Sequence, residues 1–551
     1  MIKITGILGG AAIAGLAAGT FAIGSHLGPD RSVGQNLYRQ HSNLVQVSST
    51  SNVLPASYTG NPALYSAKVA VDASKPVSTT VAAASTDDSS ADDDDFTVDG
   101  PGATFEQVYV LLKHNYVDGV PSDAHLGHGA AAAMISSLDD PESRFMEEPE
   151  VRELLSEQKG TYHGIGAVTA IRVVKHDTGD PDTSYTEYRL TIVAPLTGTP
   201  AEKAGLLPGD VITHLNGHWV AGYDPVAANA KKLKDAQDDP IAFNALVANI
   251  QQQTDTSLSL TETEAQLDDV TLPPDPTDLD KKVDDTPTPS VTLTVERPGM
   301  TTPLTITVAN NQTTDVDPVI SKQLPGNIGY IHITQFGDAT DKALDSALTG
   351  FGTDVKGLIV DLRDTPGGDV DTAADVDGKI SGAKFLGLVE GKGKSLRQIA
   401  VRTNREVNCP IAVLVNDGTA NTAELLAASL QDQGYKLVGV KTFGDAMEVA
   451  PVSLRDGSGF TMTIGQFFTL SHKPFNDTGL TPDVVVQAGA GDPQLDQAIA
   501  ALAGRTAKSA TPAHVDREAV RVNSPIDSAH AVKPHLIPVT GRVATGPSVR
   551  G

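Results

Sequence analysis

The sequence predicts a multi-domain chain of mixed α/β and β class. An apolar N-terminal helix and a helical segment precede a β-rich unit and then an α/β unit, with disordered stretches at both ends. Three observations carry this prediction. The 551 residues are too many for one hydrophobic core, so two or three folded units plus linkers are expected. From Gly160 to Val308 short alternating segments of strand length dominate. From Ile320 to Val486 apolar strand-like runs alternate with helical patterns, which is the mark of an α/β unit.

Taken in order, the chain begins MIK and runs without a charge from Ile4 to Gly24. At ~1.5 Å rise per residue that stretch spans roughly 30 Å, the thickness of a bilayer core. Residues 1–24 therefore predict a signal-anchor or a cleaved signal peptide, with Lys3 cytoplasmic and the rest of the chain exported to the periplasm or cell envelope. Residues 25–103, rich in Ser, Thr, Ala and Val and ending in STDDSSADDDDF, predict a disordered stalk. Apolar spacing in FEQVYVLLKHNYVD and the segments up to ELLSEQ predict a helical domain over 104–160, with Phe105, Tyr109 and Tyr116 in its core. YRLTIVAPL, DVITHLNG and VTLTVERPG predict strands of a β domain over 161–310. Its acidic stretch 224–289, which includes TETEAQLDDVTLPPDPTDLDKKVDDTP, predicts a solvated surface insertion. IGYIHI, KGLIVDL, PIAVLV and KLVGV predict the strands of an α/β core over 320–490, and the Pro- and Ala-rich remainder, 491–551, a flexible tail.

Charge and cysteine content narrow the chemistry. Lys plus Arg total 41 against 68 for Asp plus Glu, a formal charge of −27, which disfavours nucleic acid and anionic lipid surfaces as partners. One cysteine, Cys409, excludes an internal disulfide and a cysteine-based zinc site. His125 and His128 lack an acidic or cysteine partner at ligand spacing, and the run Asp92 to Asp95 lacks preorganisation, so no metal or other cofactor is expected.

Two groups of motifs point to function. GTYHGIGAVTAI followed by TIVAPLTGTPAEKAGLLPGDVITHLNG is a glycine turn entering a strand, then a short helix and a Pro-Gly-Asp turn. Backbone N–H groups of Gly164, Ile165, Gly166 and Ala167 would face an incoming carboxylate, and a peptide would add as a strand to the sheet edge. The order of motifs resembles a PDZ domain, and on that reading the segment Thr199–Gly205 starts the helix walling the groove.

SLDDPESRF, NIGYIHITQFGDAT, GLIVDLRDTPGGDVD, VLVNDGTANTAELLAASLQD, VGVKTFGDA and FFTLSHKPFNDTGLTPDVVV then follow in the order of the carboxyl-terminal processing, or tail-specific, serine peptidase family, which the chain resembles from Thr104 to Val486. The resemblance implies a serine nucleophile and a lysine base, with backbone amides holding the oxyanion. Placed by the helix glutamate, Glu424, the serine slot holds Asn421. The lysine slot after Thr442-Phe443-Gly444 holds Asp445, and the glutamine slot that would orient the lysine holds Val449. An amide nitrogen, its lone pair delocalised, is no nucleophile. Asn421 and Asp445 either hydrogen-bond to each other or both face solvent. The Gly367-Gly368 turn and the N–H of Thr422 occupy the oxyanion positions of the family, although glycine there also suits the strand-to-helix geometry. Thr419 and Thr422 read as helix-capping residues rather than substitute nucleophiles, and Lys441 as solvent-facing.

The sequence thus predicts an exported pseudoprotease that binds polypeptide C-termini or unfolded segments, tethered to the membrane by its N-terminal helix, with an active relative or a second copy as further partners. An active serine-type endopeptidase with a rearranged site and a structural envelope scaffold are the alternatives.

Overall fold

The computed structural model describes residues 101–503 except 118–119, 121, 181–182, 273–288 and 404. The expected N-terminal span, stalk and most of the tail lie outside these residues. Among the described residues no helix is long and apolar enough to cross a membrane.

The chain divides into two compact units, with described residues up to 126 in one and residues 127–503 in the other. The first contains α1 (Pro101–Asn115) and the start of α2 (Asp123–Ser136). Phe105 and Tyr116, expected in a core, are 45% and 54% exposed. Apolar residues fall on every side of α1, with Val108, Leu111 and Leu112 also exposed, so no single stripe is buried.

In the second unit, β1 (Phe145–Met146) and α3 (Glu148–Glu157) lead into the β domain. The predicted strands form β3 (Ala167–His176), β4 (Tyr185–Pro195), β5 (Val211–Leu215), β6 (His218–Trp219), β7 (Ser290–Glu296) and β8 (Leu304–Ala309). Their sheet runs β3-β4-β5-β7-β8, with β6 on β5, so β3 is an edge strand. The short β2 (Thr161–His163) pairs separately with β9 (Thr313–Asp315). α4 (Pro200–Ala204) starts at Pro200 and stops at Gly205, whose φ of 82° suits glycine.

The stretch 224–289 is not simply a solvated insertion. Its described part folds into α5 (Pro225–Ala228), α6 (Ala230–Asp235), α7 (Pro240–Asp255) and α8 (Leu260–Leu267). Leu258, Leu260 and Leu267 join the core of the β domain with Ile165, Leu190, Ile212 and Leu293. Its acidic composition hid apolar residues spaced to bury one face of a helix, and Ser259 and Glu262 cap α8 reciprocally.

The α/β unit is built on β10 (Val319–Leu324), β11 (Ile328–Ile333), β12 (Gly357–Asp361), β15 (Ile411–Val415), β16 (Lys436–Gly439) and β19 (Val484–Val485), ordered as named. β11 to β19 are parallel, and β10 is antiparallel on the edge. α9 (Thr340–Gly350), α10 (Val370–Ser381) and α11 (Thr422–Asp432) contribute to one core, with alternate residues Leu358, Val360, Val413 and Val415. The intervening Ile359, Ala412 and Leu414 meet α12 (Pro493–Ala503) through Ala498 and Leu502. Residues 493–503, expected in a flexible tail, therefore cover the second face of the sheet, which a parallel sheet requires. A second sheet joins β13 (Phe385–Gly391), β14 (Leu396–Ala400), β17 (Met447–Ser453) and β18 (Gly459–Phe468) with β1.

Candidate functional site

The carboxyl ends of β12, β15 and β16 converge, as open parallel sheets arrange for their ligand sites. After β15 the chain turns through Asn416 and enters α11 at Thr422, with Asn421 at φ 50°, ψ −120°. Such a backbone is strained for any residue with a Cβ, and it thrusts the side chain out of a strand-to-helix turn. The geometry of a nucleophile's elbow is present, and an asparagine occupies its apex.

That asparagine is locked in place. Its Nδ2 donates to Asp445 Oδ2 at 3.0 Å and to the Met447 carbonyl at 2.9 Å, while its Oδ1 accepts from Thr422 N–H at 3.0 Å. Of the two arrangements open to Asn421 and Asp445, the molecule adopts the hydrogen-bonded one. Asp445 Oδ1 also accepts from Met447 N–H at 3.1 Å. Burial pushes the Asp445 carboxyl above its ordinary range, opposed by Met447 N–H, Asn421 and the charge of Arg172.

The oxyanion positions need one correction. Gly367 and Gly368 adopt φ of 118° and 131°, and a Cβ on Gly368 would lie 2.2 Å from the Phe336 carbonyl, so glycine is required. Their N–H groups make no hydrogen bond among the described residues. The Thr422 N–H, expected as the second donor, is already bonded to the Asn421 carboxamide. A short side chain carrying a carbonyl at this apex bends back onto the next amide, which a serine hydroxyl need not do.

The threonines do not replace the missing serine. Thr419 is fully buried and donates to the Leu362 carbonyl at 2.7 Å, and Thr422 Oγ1 donates to the Gly368 carbonyl at 3.2 Å. Lys441 is exposed. Val449 lies on β17 opposite Thr463, whose buried Oγ1 has no hydrogen-bond partner among the described residues.

Two residues that organise this site escape sequence reasoning. Glu424, used there only to place the helix, is fully buried and joins both halves of the slot. It accepts from Asn421 N–H (3.2 Å), Asp445 N–H (2.8 Å), Gly444 N–H (2.8 Å) and the Thr442 hydroxyl. Burial, with the nearby Asp445 charge, raises its carboxyl to about 8 against the Thr442 hydroxyl and the Asp445 and Gly444 N–H groups, which lower it. Its place at the third position of α11 is a capping-box signal that could have revealed it. Arg172, on β3, donates to the carbonyls of Phe443 and Gly444 and stacks 3.7 Å from the Phe443 ring centroid. The β domain's edge strand therefore reaches the loop bearing Asp445, a contact without local signal.

The turn of the β domain also departs from expectation. Ile165 N–H, predicted to face a ligand carboxylate, donates to the Leu267 carbonyl at 2.9 Å. Gly164 packs on the backbone of Leu267 and Asp268, and Gly166 against the Thr199 side chain. Ala167 opens β3 at the free edge. The helix beside that edge is α8, whose Glu264 accepts from Thr169 Oγ1 at 3.3 Å. α4 instead packs beneath the turn, with Ala201 N–H bonded to Ile165 O. No local pattern marked α8 as the wall, because it follows β6 and precedes β7 in the chain and meets β3 only when the sheet closes.

A family model described as peptidase family S41 matches residues 327–486, and a PDZ domain model matches residues 191–228. The chain is 29% identical to the carboxy-terminal processing protease CtpA of Bacillus subtilis (strain 168) over 391 residues, covering 70% of this chain and 69% of that protein. It is 26% identical to a carboxyl-terminal-processing protease of Synechocystis sp. over 392 residues, covering 69% and 76%. The solved photosystem II D1 C-terminal processing protease aligns with a TM-score of 0.49 and 22% identity, covering 74% of this chain and 92% of that one.

Proposed function

We propose, from the match of residues 327–486 to the peptidase family S41 model and of residues 191–228 to a PDZ domain model, that the chain is a non-cleaving homologue of the C-terminal processing proteases, exported and holding polypeptide segments without severing them. The observation that carries this reading is the Asn421 carboxamide, bonded to Asp445, Met447 and Thr422 in the backbone conformation of a nucleophile's elbow. Acyl transfer needs a nucleophilic oxygen or sulfur beside a base, and a free pair of donors for the oxyanion. Here the apex atom is an amide, the base position a carboxyl group, and one donor is filled by the chain itself.

Capture of a segment is supported by the free edge of β3, to which an extended chain can add by main-chain hydrogen bonds. The same strand carries Arg172 against the 443–444 loop, so a segment laid along it is directed toward the slot. The export reading rests on the uncharged stretch Ile4 to Gly24. Incubating the full chain with an unfolded protein substrate should give no fragments by mass spectrometry while the substrate is retained on immobilised chain. Cleavage that vanishes in Thr419→Val or Thr422→Val, with the fold intact by circular dichroism, would overturn the proposal.

A further inference from the structure

The backbone at the apex of the elbow is shaped for a reaction within the chain itself. Asn421 is the second residue of a turn closed by the Ala423 N–H, which donates to the Ala420 carbonyl at 3.0 Å. With φ 50° and ψ −120° at Asn421, the turn is of type II′. At that ψ an L-residue has its Cα–Cβ bond eclipsed with the bond from its carbonyl carbon to the next nitrogen. The nitrogen of Thr422 and the C, Cα and Cβ atoms of Asn421 therefore lie near one plane, curled to the same side, as in a five-membered succinimide ring. The ψ of a helix or a strand swings that nitrogen away from Cβ.

The fifth ring atom, Asn421 Cγ, is held beside the same nitrogen. Its Oδ1 accepts from Thr422 N–H at 3.0 Å. Thr422 is the first residue of α11, where an N–H has no partner within the helix, and Oδ1 is the one acceptor it has among the described residues. Gly367 covers this group closely: a Cβ there would stand 3.0 Å from Asn421 Cβ and 3.3 Å from Thr422 N. The nitrogen that would leave, Nδ2, lies 3.0 Å from Asp445 Oδ2, within reach for proton transfer. Asn421 is partly exposed, so water has access to it.

We propose that Asn421 is a self-modifying site, at which the Thr422 amide nitrogen closes on Asn421 Cγ, ammonia leaves and water opens the resulting succinimide. The bond from Thr422 N to Cγ forms, and the bond from Cγ to Nδ2 breaks with its electron pair on nitrogen. The proton shed by Thr422 N passes through water and Asp445 Oδ2 to Nδ2, which departs as ammonia. Water then adds at Cγ to give aspartate 421, or at the main-chain carbonyl to give an isoaspartyl link. Either product loses the Nδ2 donor and sets a second carboxyl group beside Asp445. The fold supplies the rate by holding the reacting atoms in near-attack geometry. The competing reaction, attack of Nδ2 on the main-chain carbonyl, is disfavoured because Nδ2 is turned to Asp445 and the Met447 carbonyl.

Ageing the full chain at mildly alkaline pH, folded and in urea, tests this by peptide mass spectrometry. Loss of ammonia, and then gain of water, should localise to Asn421 at least about tenfold faster in the folded chain than in the unfolded one. Threonine is β-branched and shields its own nitrogen, so the unfolded Asn421-Thr422 pair should react slowly. Asn216-Gly217, whose glycine offers no such shield, should react readily in urea and shows that the conditions permit the chemistry. Electron-transfer fragmentation separates aspartyl from isoaspartyl products. Asn421→Gln, which would need a larger ring, should abolish the modification, and Asp445→Asn should slow it at Asn421 without changing Asn216, both with the fold intact by circular dichroism. A rate at Asn421 equal to or below that of the unfolded chain would overturn the proposal. So would a chain break between Asn421 and Thr422, because the attacking nitrogen would then be Nδ2. An unchanged rate in Asp445→Asn would overturn the proton path through Asp445.

Discussion

Replacing Asn421 by aspartate probes the contact that closes the slot. Asn421 Nδ2 now bridges Asp445 Oδ2 and the Met447 carbonyl at 3.0 and 2.9 Å. An ionised aspartate there offers no donor and faces two acceptors. Two unit charges about 3 Å apart repel by roughly 5–6 kcal/mol at an effective dielectric of about 20. The folded protein can avoid this by keeping one proton on the pair, at about 1.4 kcal/mol for each pH unit above an unfolded pKa near 3.9. At pH 7.5 that amounts to about 5 kcal/mol, and the resulting O–H···O bond offsets about 1 kcal/mol of it. Asn421→Asp should therefore be about 4 kcal/mol less stable than the native chain at pH 7.5. The pair's folded pKa is raised, so the folded state binds the extra proton, and the deficit should shrink by about 1.4 kcal/mol per pH unit as pH falls toward 5. Urea unfolding of both chains at intervals from about pH 5 to 8 measures it, with Asn421→Ser as an uncharged control whose deficit should vary less with pH than that of Asn421→Asp. A deficit in Asn421→Asp that stays constant over this range would refute the contact.

Asp377 is fully buried, accepts from Ser381 and Ser429, and is raised by burial from 3.8 to about 6. Its folded pKa lies above the unfolded one, so stability is lost as pH climbs between those values. Asp377→Asn should gain about 1–3 kcal/mol at pH 7.5 and nothing near pH 4, read by denaturant titration at both. His128 sits between Glu147 (2.9 Å) and Asp456 (2.9 Å); burial opposes its protonation, but the two carboxylates raise its pKa overall. The stability it contributes is complete below about 6.5 and lost as pH rises through the higher folded value, so His128→Asn should flatten the unfolding midpoint between about pH 6 and 8, within about 1 kcal/mol after solvent screening. Asn421→Ser, Asp445→Lys and Val449→Gln combined should restore detectable peptide hydrolysis, whereas Asn421→Ser alone should not. Turnover by the single variant would show that the slot already holds a working base, with the Asp445 carboxyl the nearest candidate.

Strands and the elbow were legible because their signals are local. IAVLV and KGLIVDL became β15 and β12 since apolar runs of that length bury well only between two covered faces. Residues 225–267 and 493–503 fold as helices against expectation for the complementary reason. Their composition is polar or Ala- and Pro-rich, while the few apolar residues that matter, Leu258, Leu260, Leu267, Ala498 and Leu502, acquire their role only from the surfaces they meet.

Sequence alone determined the identities at the slot: an amide at 421, a carboxyl at 445 and a hydrocarbon at 449, and hence the absence of a serine–lysine pair. Tertiary structure decided how those groups are satisfied. Ile165 N–H is taken by Leu267 O, Thr422 N–H by Asn421, and Arg172 reaches the loop of Asp445 from another sheet. A side chain's chemistry is covalent and travels with the residue. A hydrogen bond between segments far apart in the chain exists only once folding has removed water from both partners and set them within about 3 Å.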